Sequence, residues 1–142
     1  MPFKRILTAV DFSSNSLEAF RVAVEMARIH SGSLHLLHVI EAPPAVSTEV
    51  AMEIVQKANT AVERLVASSQ LALEETTFTT EVANGRAFDE IVSRAREWRA
   101  DLIVLGARGT TSLEEIILGG TAEQAMKEAP CSVLIVRPGE RQ

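Results

Sequence analysis

The chain carries one cysteine in 142 residues. A single thiol excludes an internal disulfide and any metal site built from several cysteines. No apolar run approaches the roughly 20 residues that a helix needs to span a bilayer. No membrane partner is therefore expected. Lys and Arg number 14 against 19 Asp and Glu, a formal net charge of −5, and no basic stretch stands out. Nucleic acid is not an expected partner either. Two nucleotide signatures are also missing. There is no Gly-x-x-x-x-Gly-Lys-[Ser/Thr], and the first apolar run leads into Asp11-Phe12-Ser13 rather than Gly-x-Gly-x-x-Gly. Neither a P-loop nor the usual dinucleotide fold fits. His30, His35 and His38 form no ligand cluster, because His35 and His38 differ in strand parity and should face opposite ways. No metal site is expected. No internal repeat, linker or low-complexity segment is visible.

What is present fits one globular domain spanning residues 1–142. Apolar residues make up 46% and charged residues 23%, a balance that supports a single hydrophobic core. The N-terminus enters an apolar run with no signal-peptide pattern. A soluble, cytoplasmic protein is the expectation.

Residues 6–10 are a short apolar run closed by Asp11 and a Ser/Asn cluster, which reads as a buried strand followed by a helix start. Leu17, Phe20, Val24 and Ala27 recur at helical spacing. Ser31-Gly32-Ser33 stops that helix, and residues 34–40 form a second strand ending at Pro43-Pro44. Val50, Ile54, Ala58, Ala61, Val62 and Leu65 mark a long second helix. Residues 76–82 are rich in β-branched side chains and predict a third strand, with Asn84-Gly85 turning the chain. Phe88, Ile91, Val92 and Ala95 give a third helix, and residues 102–105 a fourth strand. Ala122, Ala125, Met126 and Ala129 mark a fourth helix, Pro130 ends it, and Ser132–Val136 is a fifth strand. Strict alternation of apolar strands with helices predicts an open, parallel five-stranded α/β sheet covered on both faces. Ligands bind such sheets at the carboxyl ends of strands, where the strand order reverses. That rule brings Asp11 beside the turn Gly106-Ala107-Arg108-Gly109.

The turn and the segment leading to the fourth helix form a pattern suited to phosphate. Gly106 and Gly109 lack a Cβ, so their backbone can adopt positive φ and approach a ligand. Arg108 offers a fixed charge and forked donors. Gly119, Gly120 and Thr121 precede the fourth helix, where free amides and the helix dipole favour an anion. Each glycine alone would read as a tight turn. The full pattern at one sheet edge favours a site for a di- or triphosphate. Asp11 reads as a ligand contact in preference to a cap, since Ser13, Ser14 or Asn15 can cap the first helix.

The chain resembles the universal stress protein family along nearly its whole length. The resemblance lies in Lys4-Arg5-Ile6-Leu7-Thr8-Ala9-Val10-Asp11-Phe12-Ser13, in residues 34–39 ending His38-Val39, in Asp101-Leu102-Ile103-Val104-Leu105-Gly106, and in Ala129-Pro130-Cys131-Ser132-Val133-Leu134-Ile135-Val136-Arg137. The family's nucleotide-binding branch carries Gly-x2-Gly-x9-Gly-[Ser/Thr]. Gly106, Gly109 and Gly119 match it, while Gly120 stands where a hydroxyl is expected and Thr121 follows. Losing one hydrogen bond of about 0.5–1.5 kcal/mol would weaken binding several-fold to tenfold without abolishing it.

The resemblance implies the adenine nucleotide alpha hydrolase-like fold with strand order 3-2-1-4-5. It implies ATP as ligand, with magnesium held by the phosphates. Adenine would lie near Ala9, Val10 and Val39, with Asp11 near base or ribose. Gly106, Arg108 and Gly109 would follow the ribose and phosphates, and Gly119, Gly120 and Thr121 would close the phosphate end. It also implies a homodimer joined through Ser132–Val136. The expected function is an ATP-binding regulator of the stress response acting through nucleotide-dependent interaction. A slow ATP hydrolase or autophosphorylating protein is the alternative, with Asp11, Glu114 and Glu115 the nearest candidate bases. An interaction module without nucleotide is the third reading. Cys131 and Trp98 read as packing residues, and Ser13, Ser14, Thr110, Thr111 and Ser112 as candidate phosphorylation sites.

Overall fold

The computed structural model describes residues 2–41, 45–107 and 120–137. Its strands are β1 (Arg5–Ala9), β2 (Ser33–Ile40), β3 (Thr77–Asn84), β4 (Leu102–Gly106) and β5 (Ser132–Val136). Its helices are α1 (Ser14–His30), α2 (Thr48–Ser68), α3 (Gln70–Leu73), α4 (Ala87–Trp98) and α5 (Gly120–Glu128). The strands form one parallel sheet in the order β3-β2-β1-β4-β5. This is the order that the resemblance implied.

Strand alternation divides the apolar side chains between two layers. Ile6, Leu34, Leu36, Leu102 and Val104 pack on one face against Ala19, Phe20, Ala23, Val24 and Ala27 of α1 and Val62 of α2. Leu7, Leu37, Ala83, Ile103 and Leu105 pack on the other against Ile91 and Ala95 of α4 and Ala125 of α5. Runs such as Leu-Ile-Val-Leu are continuous because both sides of the strand are covered. Thr8 is fully buried in the central strand, and its hydroxyl donates to the Val104 carbonyl at 2.9 Å. That bond removes the cost of a polar atom in the core.

Several strand ends differ from the sequence reading by one or two residues, and one helix is new. β1 ends at Ala9, since its register with β2 stops at Ala9↔Leu37. β3 runs from Thr77 to Asn84, so Asn84 belongs to the ladder opposite Ile40 and the turn begins at Gly85. The short helix α3 was not anticipated. Four residues are too few for a periodic pattern, and Leu73 is its buried anchor.

α1 begins where the sequence placed a helix start. Ser13 is the cap: its Oγ accepts from the Ser16 amide at 3.2 Å. At the other end Ser31 adopts the left-handed conformation with φ 53°, and its amide and that of Gly32 close the last turn.

Candidate functional site

The sheet order reverses between β1 and β4, which pair directly through Ile6↔Leu102, Leu7↔Ile103 and Thr8↔Val104. β2 leaves β1 on one side and β4 on the other. The carboxyl ends of β1, β2 and β4 therefore converge. Ala9, Val10, Asp11, Val39 and Gly106 lie at or just beyond these ends. α5 returns from the end of β4 to the start of β5, against the strand direction. Its first residues, Gly120 and Thr121, consequently lie towards the same edge. Arg108, Gly109 and Gly119, together with Thr110, Thr111, Ser112, Glu114 and Glu115, lie outside the described residues.

Val10 is buried and belongs to the α1 side of the core. Ala9 and Val39 are half-buried and pack on the other side with Leu105. Apolar side chains thus flank this edge on both faces of the sheet, beside one carboxylate.

That carboxylate, Asp11, is tied to the cap of the first helix. Its Oδ1 accepts from the Ser13 amide at 3.0 Å and from the Ser13 hydroxyl at 2.6 Å. Ser13 is the cap, and Asp11 fixes the cap. The Asp11 amide donates to Ser16 Oγ at 3.2 Å, and Ser16 Oγ donates to the Ser13 carbonyl at 3.1 Å. The result is a closed ring of bonds through Asp11, Ser13 and Ser16. Oδ2 takes no hydrogen bond among the described residues.

Gly106 corrects one expectation. It ends β4 in the ladder opposite Val136 rather than in a positive-φ turn. A Cβ there would lie 3.0 Å from the backbone carbonyl of Asn15 and 3.1 Å from its Oδ1. The first turn of α1 thus lies directly against β4, and a side chain here would press on it. Asn15 also donates from Nδ2 to the Val136 carbonyl at 3.2 Å. Gly120 is different. It is the first residue of α5, and a Cβ there would meet none of the described residues within 4 Å. The missing hydroxyl at this position is not enforced by crowding from them.

Two side chains that the sequence did not single out for this edge support it. His38 Nδ1 lies 2.7 Å from the Val10 carbonyl. Phe12 has φ 66°, uncommon for a residue with a bulky side chain, and its ring centroid is 4.9 Å from that of His38. Neither contact leaves a local sequence signal, since residue 38 is 28 positions from residue 10. His35 lies on the opposite face, between Thr79, Glu81 and the Trp98 ring. Trp98 ends α4 and packs there, with the Arg5 guanidinium 4.2 Å from its ring centre. Cys131 is half-buried. Burial and the nearby Asp101 charge push its thiol above the ordinary value, which disfavours the reactive thiolate at neutral pH.

The model of the universal stress protein family matches residues 2–137. The chain belongs to the universal stress protein family. A universal stress protein of Methanocaldococcus jannaschii is 33% identical over 147 residues, covering 99% of this chain and 85% of its own. One from Thermus aquaticus is 34% identical over 138 residues, covering 95% and 99%. The solved structure of a universal stress protein A from Lactobacillus plantarum superposes with a TM-score of 0.85 at 28% identity, covering 96% of this chain and 99% of its own. Two more distant members share the fold. One, solved in complex with cAMP, has a TM-score of 0.70 at 19% identity, covering 96% and 98%. The other, from Archaeoglobus fulgidus in complex with dAMP, has a TM-score of 0.70 at 22% identity, covering 96% and 99%. Among the described residues no helix is long and apolar enough to cross a membrane.

Proposed function

We propose that this universal stress protein is an ATP-binding regulator that acts through nucleotide-dependent interaction rather than fast turnover. The observation that carries this reading is the meeting of Asp11 and Gly106 at the reversal of strand order. Gly106 is also the first glycine of Gly106-x2-Gly109-x9-Gly119. Family members with this fold that were solved with cAMP and dAMP support an adenine nucleotide as the ligand class.

The described residues fit such a ligand. Ala9, Val10 and Val39 offer apolar side chains at this edge for a base, and Asp11 keeps Oδ2 for a hydroxyl or ring nitrogen. The start of α5 favours negative charge, and none of the described residues crowds Gly120. Arg108, Gly109, Gly119, Gly120 and Thr121 would hold the phosphates, with magnesium bound between phosphate oxygens. Asp11 is the carboxylate nearest the base end, and its Oδ1 is engaged by Ser13. That engagement favours binding over proton transfer.

Titration with ATP and magnesium tests this reading. Saturable binding below millimolar ATP is expected, with nucleotide unchanged after long incubation. Silence at millimolar ATP would end it in favour of a module without nucleotide, the reading that Gly120 supports. Gly120→Ser refines the test. The added hydroxyl meets no steric obstacle among the described residues and is expected to strengthen ATP binding several-fold, as one hydrogen bond to an ionised oxygen should.

We also propose a homodimer through β5. Ser132–Val136 is an edge strand whose apolar residues are only half-buried within one chain, a surface that proteins normally cover. Sedimentation at micromolar concentration should give twice the mass of 15.4 kDa. A lysine at Leu134 should split the dimer, and a monomeric native chain would remove the proposal.

A further inference from the structure

The bond between His38 and Val10 fixes a proton. A carbonyl oxygen can only accept, so Nδ1 of His38 carries the hydrogen. The same backbone unit is held at its other end, because the Val10 amide donates to the Leu37 carbonyl at 2.9 Å. Regular β1–β2 pairing ends at Ala9↔Leu37. The His38 side chain thus supplies the next bond between these strands, one residue beyond the ladder. Immediately after it the chain must bend towards α1. Phe12 makes that bend at φ 66° with a ring and a Cβ in place of glycine, a conformation that persists only where its surroundings hold it. The His38 ring, 4.9 Å away, forms part of those surroundings. Asp11 lies between the two clamped residues.

We propose that His38 is the positioning residue of the nucleotide site. Its Nδ1–H holds Val10 and its ring backs Phe12, so that Asp11 is presented with Oδ1 on the helix cap and Oδ2 towards the ligand. This role rests on the nucleotide reading above. It assigns His38 an indirect part, exerted through Asp11, with no contact to the ligand required. The two functions of the imidazole are separable by substitution. His38→Asn keeps a donor close to the place of Nδ1, whereas His38→Phe keeps a ring and loses the donor.

The test is an ATP titration of the native chain, His38→Asn, His38→Phe, Asp11→Asn and the His38→Phe/Asp11→Asn pair, each well below its melting temperature. His38→Phe should raise the ATP Kd about tenfold, and His38→Asn should stay within about threefold of the native value. In the Asp11→Asn background His38→Phe should add little, because both act on one contact. A general loss of structure would not give that non-additivity. Native affinity in His38→Phe, or its full effect in the Asp11→Asn background, would overturn the proposal. A native chain that binds no ATP would refute the nucleotide reading itself. The mechanical role of His38 is then decided by hydrogen exchange at the Asp11 and Ser13 amides. Exchange about tenfold faster in His38→Phe but not in His38→Asn supports that role, and unchanged exchange removes it.

Discussion

Gly106→Ala is expected to destabilise the fold by about 2 kcal/mol, within the range for forcing one extra carbon into a packed interior. In a chain of this size that corresponds to a melting temperature lowered by roughly 5 °C. The added Cβ would stand 3.0 Å from the carbonyl carbon and oxygen of Asn15. This neighbour cannot swing aside as a long side chain would. It is backbone in the first turn of α1, and that turn is fixed by the Ser13 cap, by Asp11 and by the bond from Asn15 to the Val136 carbonyl. Relief requires α1 to lift from β4, and Asp11 and Ser13 move with it. Stability and ATP affinity should therefore fall together. Gly120→Ala is the control. Its Cβ meets none of the described residues, and exchanging glycine for alanine in a helix lowers the entropy lost on folding, so its melting temperature should hold or rise slightly. Thermal unfolding of the two variants checks both statements. If Gly106→Ala melts with the native chain, the close approach of α1 to β4 is not what requires glycine there.

The contrast between these glycines shows how far the sequence could be read. Alternating apolar strands and helices gave the sheet, and the Ser132–Val136 strand matches to the residue. The strand order puts the carboxyl ends of β1 and β4, which lead to Asp11 and Gly106, next to each other. Yet the sequence reading set both glycines in one phosphate site, Gly106 as a positive-φ turn and Gly120 at the helix start, as the departure from the glycine pattern. The structure separates them because the reason for Gly106 lies in Asn15, 91 positions earlier in the chain, which no local pattern contains. Asp11 was set against Ser13 as a rival for capping α1, whereas the two are bonded to each other. Short-range sequence reading names the candidates for such a group but not their hydrogen-bond order. His38 was noted as part of a strand. Its bond to Val10 depends on the inter-strand register, which fixes which side chain stands beside the last rung.

The second large effect lies away from the site, at the packing of α4 against the edge strand β3. Arg94 pairs there with Glu81 of β3, with Glu90 at 3.2 Å and with Glu97 at 3.8 Å. Glu81 also meets His35 Nε2 at 2.9 Å. Burial opposes ionisation of Glu81, but the hydrogen bonds and charges of Arg94 and His35 prevail and hold its carboxyl below the ordinary value of 4.5. A carboxyl held low in the folded state adds stability above its unfolded pKa, and that stability is lost as pH falls through the folded value. Arg94→Met keeps the stem that covers α4 and deletes the guanidinium. It leaves three carboxylates together, two of them, Glu81 and Glu90, half-buried. We expect a loss of about 1–2 kcal/mol at pH 7, the lower part of the range for charged hydrogen bonds because both partners retain some solvent. Without Arg94 only His35 remains to offset the burial that opposes ionisation, so the Glu81 carboxyl is held less far down. The variant should then gain on the native chain as pH falls below the ordinary carboxyl value of 4.5, and the gap between their denaturant midpoints should narrow there. Adding Glu81→Gln to Arg94→Met should recover part of the loss at pH 7 by removing the charge that has lost its partner. A gap that stays constant with pH would show that Arg94 contributes through its stem alone.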